Sequence, residues 1–298
     1  TTLSTLIDDY ERSMASSDRI FDLLAKKRKI VNISNAKVPE NIDCNIRFEN
    51  VEFSYDPSIR LFKDLNMDIP FGSSVGIVGD TGSGKTTIAK LLLRLYEADN
   101  GSIIMGDHKI TDLDIKFLRE KIGIVSQEPF LFNSSIRENI CYGLKGSSLE
   151  EIESAAKESQ IWEFIEQLPE GIDTIIGERG QNLSGGQRQR IAIARTLMRK
   201  PEVIIFDEAT SSVDNRTEQL IQRALFAIRE GRTSIIIAHR LSTIRNCSNI
   251  LVLKDGKMSS RSGNIITFQE LIDRTSKDIY VKLEKYSKEW TKDSGKER

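Results

Sequence analysis

Residues 79–86 read Gly79-Asp80-Thr81-Gly82-Ser83-Gly84-Lys85-Thr86, the GxxxxGK[ST] spacing of a turn that closes around phosphate oxygens. Its glycines let backbone N–H groups converge on the phosphates at the positive end of a helix, Lys85 adds a point charge, and the Thr86 hydroxyl suits Mg²⁺. Thr81, Ser83 and the following Thr87 complete the candidate phosphate-binding set. Farther along, the apolar run Val203-Ile204-Ile205-Phe206 ends in two carboxylates, Asp207 and Glu208. A strand with that ending delivers both acids to the C-terminal edge of a sheet, where ligands of α/β folds bind. Asp207 suits contact with the metal, directly or through water. Glu208, one residue farther, suits a general base for water attacking a terminal phosphate. Alone, such a pair is an ordinary solvated acidic turn; beside a phosphate cradle it is expected to work with it.

A third segment, Leu183-Ser184-Gly185-Gly186-Gln187-Arg188-Gln189-Arg190, stands before a helix expected over 188–198. A Ser followed by two Gly at a helix start again offers N–H groups and a hydroxyl to phosphate. One domain has no use for two such cradles around one triphosphate. On these three motifs and their order the chain resembles the ABC ATPases, and the resemblance covers nearly all of residues 45–257. It implies binding and hydrolysis of ATP with Mg²⁺. It also implies that Ser184, Gly185, Gly186 and Gln187 close on the ATP held by a second nucleotide-binding domain, identical or related, in a head-to-tail dimer.

Four single residues fall in the family's order. Tyr55 resembles the aromatic that stacks on adenine, Gln127 the glutamine that senses Mg²⁺ and the attacking water, Asp214 the acid that communicates across the dimer seam, and His239 the histidine at the γ-phosphate. Read without the resemblance, they are a half-buried strand tyrosine, a surface amide, a loop acid and a structural histidine. The resemblance therefore assigns Lys85, Gln127, Glu208 and His239 to catalysis and Thr86, Gln127 and Asp207 to the metal. Two more segments, 129–140 and 176–182, look like the helical subdomain of the exporter type, which faces the cytoplasmic ends of transmembrane helices.

These groups need a scaffold. Ser74 to Gly79 gives a short apolar strand, the glycine turn follows, and an apolar-periodic helix is expected over 88–95. Alternation in Ile46 to Phe53 and in Leu65 to Ile69 indicates half-buried antiparallel strands. Residues 149–168 read as helical, while 203–206 and 234–238 are apolar runs too short for helices and suit buried parallel strands. With the resemblance, the expected fold is an α/β, RecA-like core with a small antiparallel β-subdomain before the phosphate loop and a helical subdomain over about residues 128–190.

Composition narrows the class. Of 298 residues, 43 are basic and 44 acidic, so no global field favours nucleic acid. Three lone cysteines, Cys44, Cys141 and Cys247, form no Cys/His cluster, which points to a reducing compartment. No run approaches the roughly 18 to 20 apolar residues of a membrane span. Leu3, Leu6, Ile7, Tyr10, Met14, Phe21 and Leu24 form one stripe of an amphipathic helix, which either packs on its own domain or continues a helix from an N-terminal part absent from this chain. Residues 15–24 resemble the stretch joining the last membrane helix to the motor in single-chain exporters, which favours the second reading. The expected organisation is 1–44 as that helix and a polar linker, 45–275 as the ATPase domain, and 276–298 as a charged tail.

Soluble ATPases of the same family are the alternative. A chromosome-maintenance member would place a long coiled coil between the phosphate loop and Ser184, but about a hundred residues lie there without sustained heptads. A ribosome-associated member would carry two motif sets in one chain, and here there is one. Local departures from the family are Val213 in place of Leu and the segment Ser262 to Leu271, which lacks a His.

Overall fold

The computed structural model describes residues 2–207, 215–229, 231–237, 241–244, 247–254 and 257–258. The chain divides into two units between Val31 and Asn32. The first holds helix α1, Thr2–Ala25, with Leu3, Leu6, Ile7, Tyr10 and Met14 exposed. In the second, strands β1 (Ile46–Asp56), β2 (Ile59–Ile69) and β3 (Ser74–Gly79) lead to helix α2 (Lys85–Leu92). Strands β4 (Asn100–Met105) and β5 (His108–Lys109), helix α3 (Ile115–Lys121) and strand β6 (Ile122–Val125) follow. Next come helices α4 (Ile136–Ile140), α5 (Leu149–Glu158), α6 (Trp162–Glu166) and α7 (Gly185–Met198). Strand β7 (Val203–Asp207), helix α8 (Asn215–Arg229), strand β8 (Thr233–Ile237), helix α9 (Leu241–Ile244), and strands β9 (Asn249–Lys254) and β10 (Lys257–Met258) close the described chain.

Two sheets form. One runs β10-β9-β3-β8-β7-β6, with β9, β3, β8, β7 and β6 parallel; the other is antiparallel in the order β2-β1-β4-β5. Every residue of β7 and β8 is buried, as the continuous apolar runs require of strands covered on both faces. Alternate side chains serve different cores because successive Cβ atoms point to opposite faces. Val203, Ile205, Ile235 and Ile237 join Ile88 and Leu91 of α2 and the inner residues of the antiparallel sheet. Ile204, Phe206 and Ile236 join Ile191, Leu197, Ile221 and Leu225 on the helical side. The parallel sheet is thus the shared wall between two hydrophobic cores.

The structure revises four local expectations. The β-subdomain does not lie wholly before the phosphate loop, since β4 and β5, residues 100–109, complete its sheet through the pairing of Ile46 with Met105. The helix expected over 149–168 is two helices, broken where Gln160 takes φ 59°. The helix expected from Arg188 starts at Gly185, because Ser184 accepts from Gln187 N at 3.2 Å while Gln187 Oε1 accepts from Ser184 N at 2.7 Å. The stretch 32–44, read as part of a linker, is pinned to the second unit. Lys37 N donates to Asp112 O at 2.8 Å, Ile115 N donates to Asn32 Oδ1 at 2.9 Å, and Cys44 Sγ donates to Glu202 at 3.0 Å. All three cysteines are free thiols. The tail over 276–298 and the divergent segment 262–271 lie outside the described residues.

Candidate functional site

Strand β3 runs straight into the glycine turn, and α2 opens at Lys85 directly after it. The Lys85 ammonium, nearly buried, donates to Gly79 O and Asp80 O, both at 2.9 Å, which curls its side chain back over the turn. Gly84 caps α2 with φ 99°, a conformation that L side chains rarely adopt, and a Cβ there would come within 2.6 Å of the Phe62 ring. Gly79 is pressed as closely, since a Cβ would meet Leu253 O of β9 at 2.3 Å. The turn is therefore held from two sides by the antiparallel sheet and by β9.

Gly84→Ala is expected to lose about 2 to 4 kcal/mol of stability, from left-handed strain and overpacking together. Calorimetry on the ligand-free chain should show the thermal midpoint fall by roughly 5 °C or more. Phe62→Leu in the same chain should recover part of that loss by removing the ring. An unchanged midpoint for Gly84→Ala would refute the close approach.

The second group arrives from the sheet. Thr86 Oγ1 donates to Asp207 Oδ1 at 3.1 Å, joining the first turn of α2 to the end of β7. Strands β3 and β7 flank β8, so this bond spans the C-terminal edge of the sheet. The Ser83 hydroxyl is buried and has no hydrogen-bond partner among the described residues, an arrangement that costs free energy unless a ligand oxygen meets it. Thr81 and Gly82 are exposed beside it. An orphaned hydroxyl, a cationic Lys85 and a Thr–Asp pair together suit a triphosphate with Mg²⁺. No cluster of three His, Cys, Asp or Glu residues able to hold a metal occurs among the described residues.

The structure brings several expected residues together. Tyr55, half exposed at the end of β1, shares a 3.0 Å hydrogen bond with Thr87 of α2. Gln127 is exposed two residues past β6, whose Val125 is in register with Phe206 of β7. The preceding Ser126 O accepts from Gln189 Nε2 of α7 at 3.1 Å, so α7 is tied to the segment that carries Gln127. Ser184 and Gly185 are exposed at the start of α7, on the helical side, while the amide of Gln187 is engaged in capping that helix. The N–H groups of a helix's first turn have no intrahelical acceptor, so this end remains suited to an anion. Glu208, Asp214 and His239 lie outside the described residues, one, seven and two positions beyond the ends of β7 and β8.

Sequence reasoning missed the companions of Tyr55, which are Phe53, Lys90 and Tyr96. The spacing of Thr87 and Lys90, one helical turn apart, was the available signal. It also missed an aromatic surface on the helical side. Phe132 and Tyr142 stack at 4.4 Å, Phe130 stands edge-on to Phe132 at 5.1 Å, and all three are exposed. Arg195 supports them, with Cζ 5.7 Å from the Tyr142 ring and Nη1 donating to Phe130 O at 2.8 Å. Burial, then the charge of Arg199, lowers the Arg195 pKa from its ordinary value.

Comparison with known proteins adds a family. A family model described as ABC transporter matches residues 62–211. The human ATP-binding cassette sub-family B member 5 is 45% identical over 248 residues, covering 82% of this chain and 20% of that protein. The mouse mitochondrial ATP-binding cassette sub-family B member 10 is 41% identical over 287 residues, covering 94% of this chain and 39% of that protein. Among solved structures, a bacterial Atm1-family ABC exporter with ATP bound superposes with a TM-score of 0.80 at 40% identity, covering 89% of this chain and 46% of that one. The chain spans less than half the length of each of these relatives.

Proposed function

Because the chain belongs to the ABC transporter family, we propose that it is the ATP-binding and ATP-hydrolysing motor domain of an exporter, working as one half of a pair around two ATP. The observation that carries this reading is the 3.1 Å bond between Thr86 and Asp207 beside the orphaned Ser83 hydroxyl, which joins phosphate loop and acidic strand into one site. The structural neighbour named as an Atm1-family ABC exporter supports the transport role. Among the described residues no helix is long and apolar enough to cross a membrane; in this reading the motor acts on a transmembrane domain as its partner.

In this reading the turn from Gly79 to Thr87 holds the triphosphate and Tyr55 stacks on the base. Mg²⁺ would be held by Thr86, Gln127 and Asp207 together with phosphate oxygens and water, and there it offsets phosphate charge. Glu208 takes the proton of the attacking water, His239 contacts the γ-phosphate, and Lys85 stabilises the charge that develops on the leaving group. Ser184, Gly185, Gly186, Gln187 and Asp214 act on the partner domain's nucleotide. The exposed rings of Phe130, Phe132 and Tyr142 supply an apolar surface for the ends of membrane helices.

The test is metal removal. Parent protein is expected to bind ATP more tightly with Mg²⁺ than with EDTA. Asp207→Asn should shrink that Mg²⁺-dependent gain by about tenfold, the worth of one charge-assisted contact. Affinity in EDTA should stay near that of the parent. An Asp207→Asn variant with a full Mg²⁺ gain would remove Asp207 from the metal site.

A further inference from the structure

Tyr55 ends a strand, yet most of what holds its ring comes from the helix that the phosphate loop opens into. Phe53 and Tyr96 stand edge-to-face against it at 4.9 and 5.0 Å, with interplanar angles of 84° and 87°. The Lys90 ammonium lies over the ring, 5.5 Å from its centroid. The phenol is bonded to Thr87 at 3.0 Å. Thr87 and Lys90 belong to α2, and Tyr96 follows shortly after its end.

The segment carrying Tyr96 is itself fixed. Arg119 of α3 donates to Leu93 O and Arg94 O, both at 2.9 Å, and the buried Arg94 guanidinium donates to Leu113 O at 3.1 Å. Lys90 O accepts from Leu95 N at 2.9 Å, which closes the turn just before Tyr96. A half-exposed tyrosine left alone would give up rotamer freedom whenever a base stacked on it, and that loss weakens binding. Here the freedom is removed before the ligand arrives.

We propose that Lys90 and Tyr96 are positioning residues for the nucleobase, locking the Tyr55 ring to α2 so that its stacking face stands at a set distance from the phosphate loop. The inference rests on the nucleotide reading above. It assigns the separation between base and triphosphate to one element, α2, which opens at Lys85 of the phosphate loop and carries Thr87 and Lys90. Tyr96 acts through its ring, so Phe should replace it, and Lys90 acts through its charge over the ring, so Arg should replace it.

The experiment is calorimetric titration of the full chain with ATP and with inorganic tripolyphosphate, which has no base. Tyr96→Leu should weaken ATP binding roughly 3- to 10-fold, the worth of an aromatic pair. Tripolyphosphate binding should stay within about twofold of the parent, which also shows that the loop is folded. Tyr96→Phe should match the parent, and Lys90→Met should weaken ATP alone. The double variant Tyr55→Ala/Tyr96→Leu should bind ATP no worse than Tyr55→Ala, because the two act as one unit. Parent-like ATP affinity in Tyr96→Leu, an equal loss for tripolyphosphate, or an additive double variant would each overturn the inference. A parent that binds neither ligand would overturn the nucleotide reading and this inference with it, whereas a parent that binds both leaves the variants to decide.

Discussion

Glu208→Gln slows ATP hydrolysis by roughly 10²- to 10⁴-fold and makes ATP a dimerising ligand. The amide keeps the shape and hydrogen bonding of the carboxylate but cannot accept the proton of the attacking water. By transition-state arithmetic the loss is about 3 to 5 kcal/mol. In the proposed pairing the same change removes a negative charge from the site on which the partner's Ser184-Gly185-Gly186 segment would close. Closure is then favoured and reopening stalls. Light scattering is expected to show parent protein mostly monomeric, and the Gln variant dimeric only with ATP. Ser184→Arg, added to the Gln variant, should restore the monomer while ATP still binds the phosphate loop, because the bulky side chain fills the start of α7, where Ser184 is exposed. An ATP-loaded Gln variant that stays monomeric at high concentration removes the pairing of like with like, and one that turns over at the parent rate removes Glu208 as the base.

The second large effect is at Lys85, whose loss is expected to reduce ATP turnover by roughly 10²- to 10³-fold or more, the scale of deleting one donor aimed at developing charge. In the folded chain its ammonium is held by Gly79 O and Asp80 O. Gly79 is half-buried and Asp80 exposed, so water can reach the region of both carbonyls once the side chain is cut back. Lys85→Ala should therefore lower the thermal midpoint of the ligand-free chain by only a few degrees. A large fall in that midpoint with turnover intact would make Lys85 a brace for the turn.

The local elements that present the candidate groups were largely legible in the sequence because each motif is local. A strand, a glycine turn and a helix start lie within residues 74–92, and a buried strand with an acid at its end lies within 203–207. The cap at Ser184 needs only a Gln three residues on. Periodicity and capping follow from backbone geometry over a few residues, so they can be read without knowing what lies opposite.

What residues meet across the chain was decided by tertiary structure alone. Residues 100–105 open with Asn100 and Gly101, types depleted in strands, so they carry little strand signal; they form β4 because β1 offers a partner edge. The broken helix at Gln160, the Phe62 ring lying where a Gly84 Cβ would be, and the linker residues hydrogen-bonded to the start of α3 and the residues just before it have the same origin. The joining of Thr86 to Asp207, 121 positions apart, follows from the strand order that sets β3 and β7 on either side of β8. The sequence by itself determined which chemical groups this protein carries and which local elements present them. The distances between those groups came from burying two faces of one parallel sheet at once, a long-range condition that no local spacing encodes.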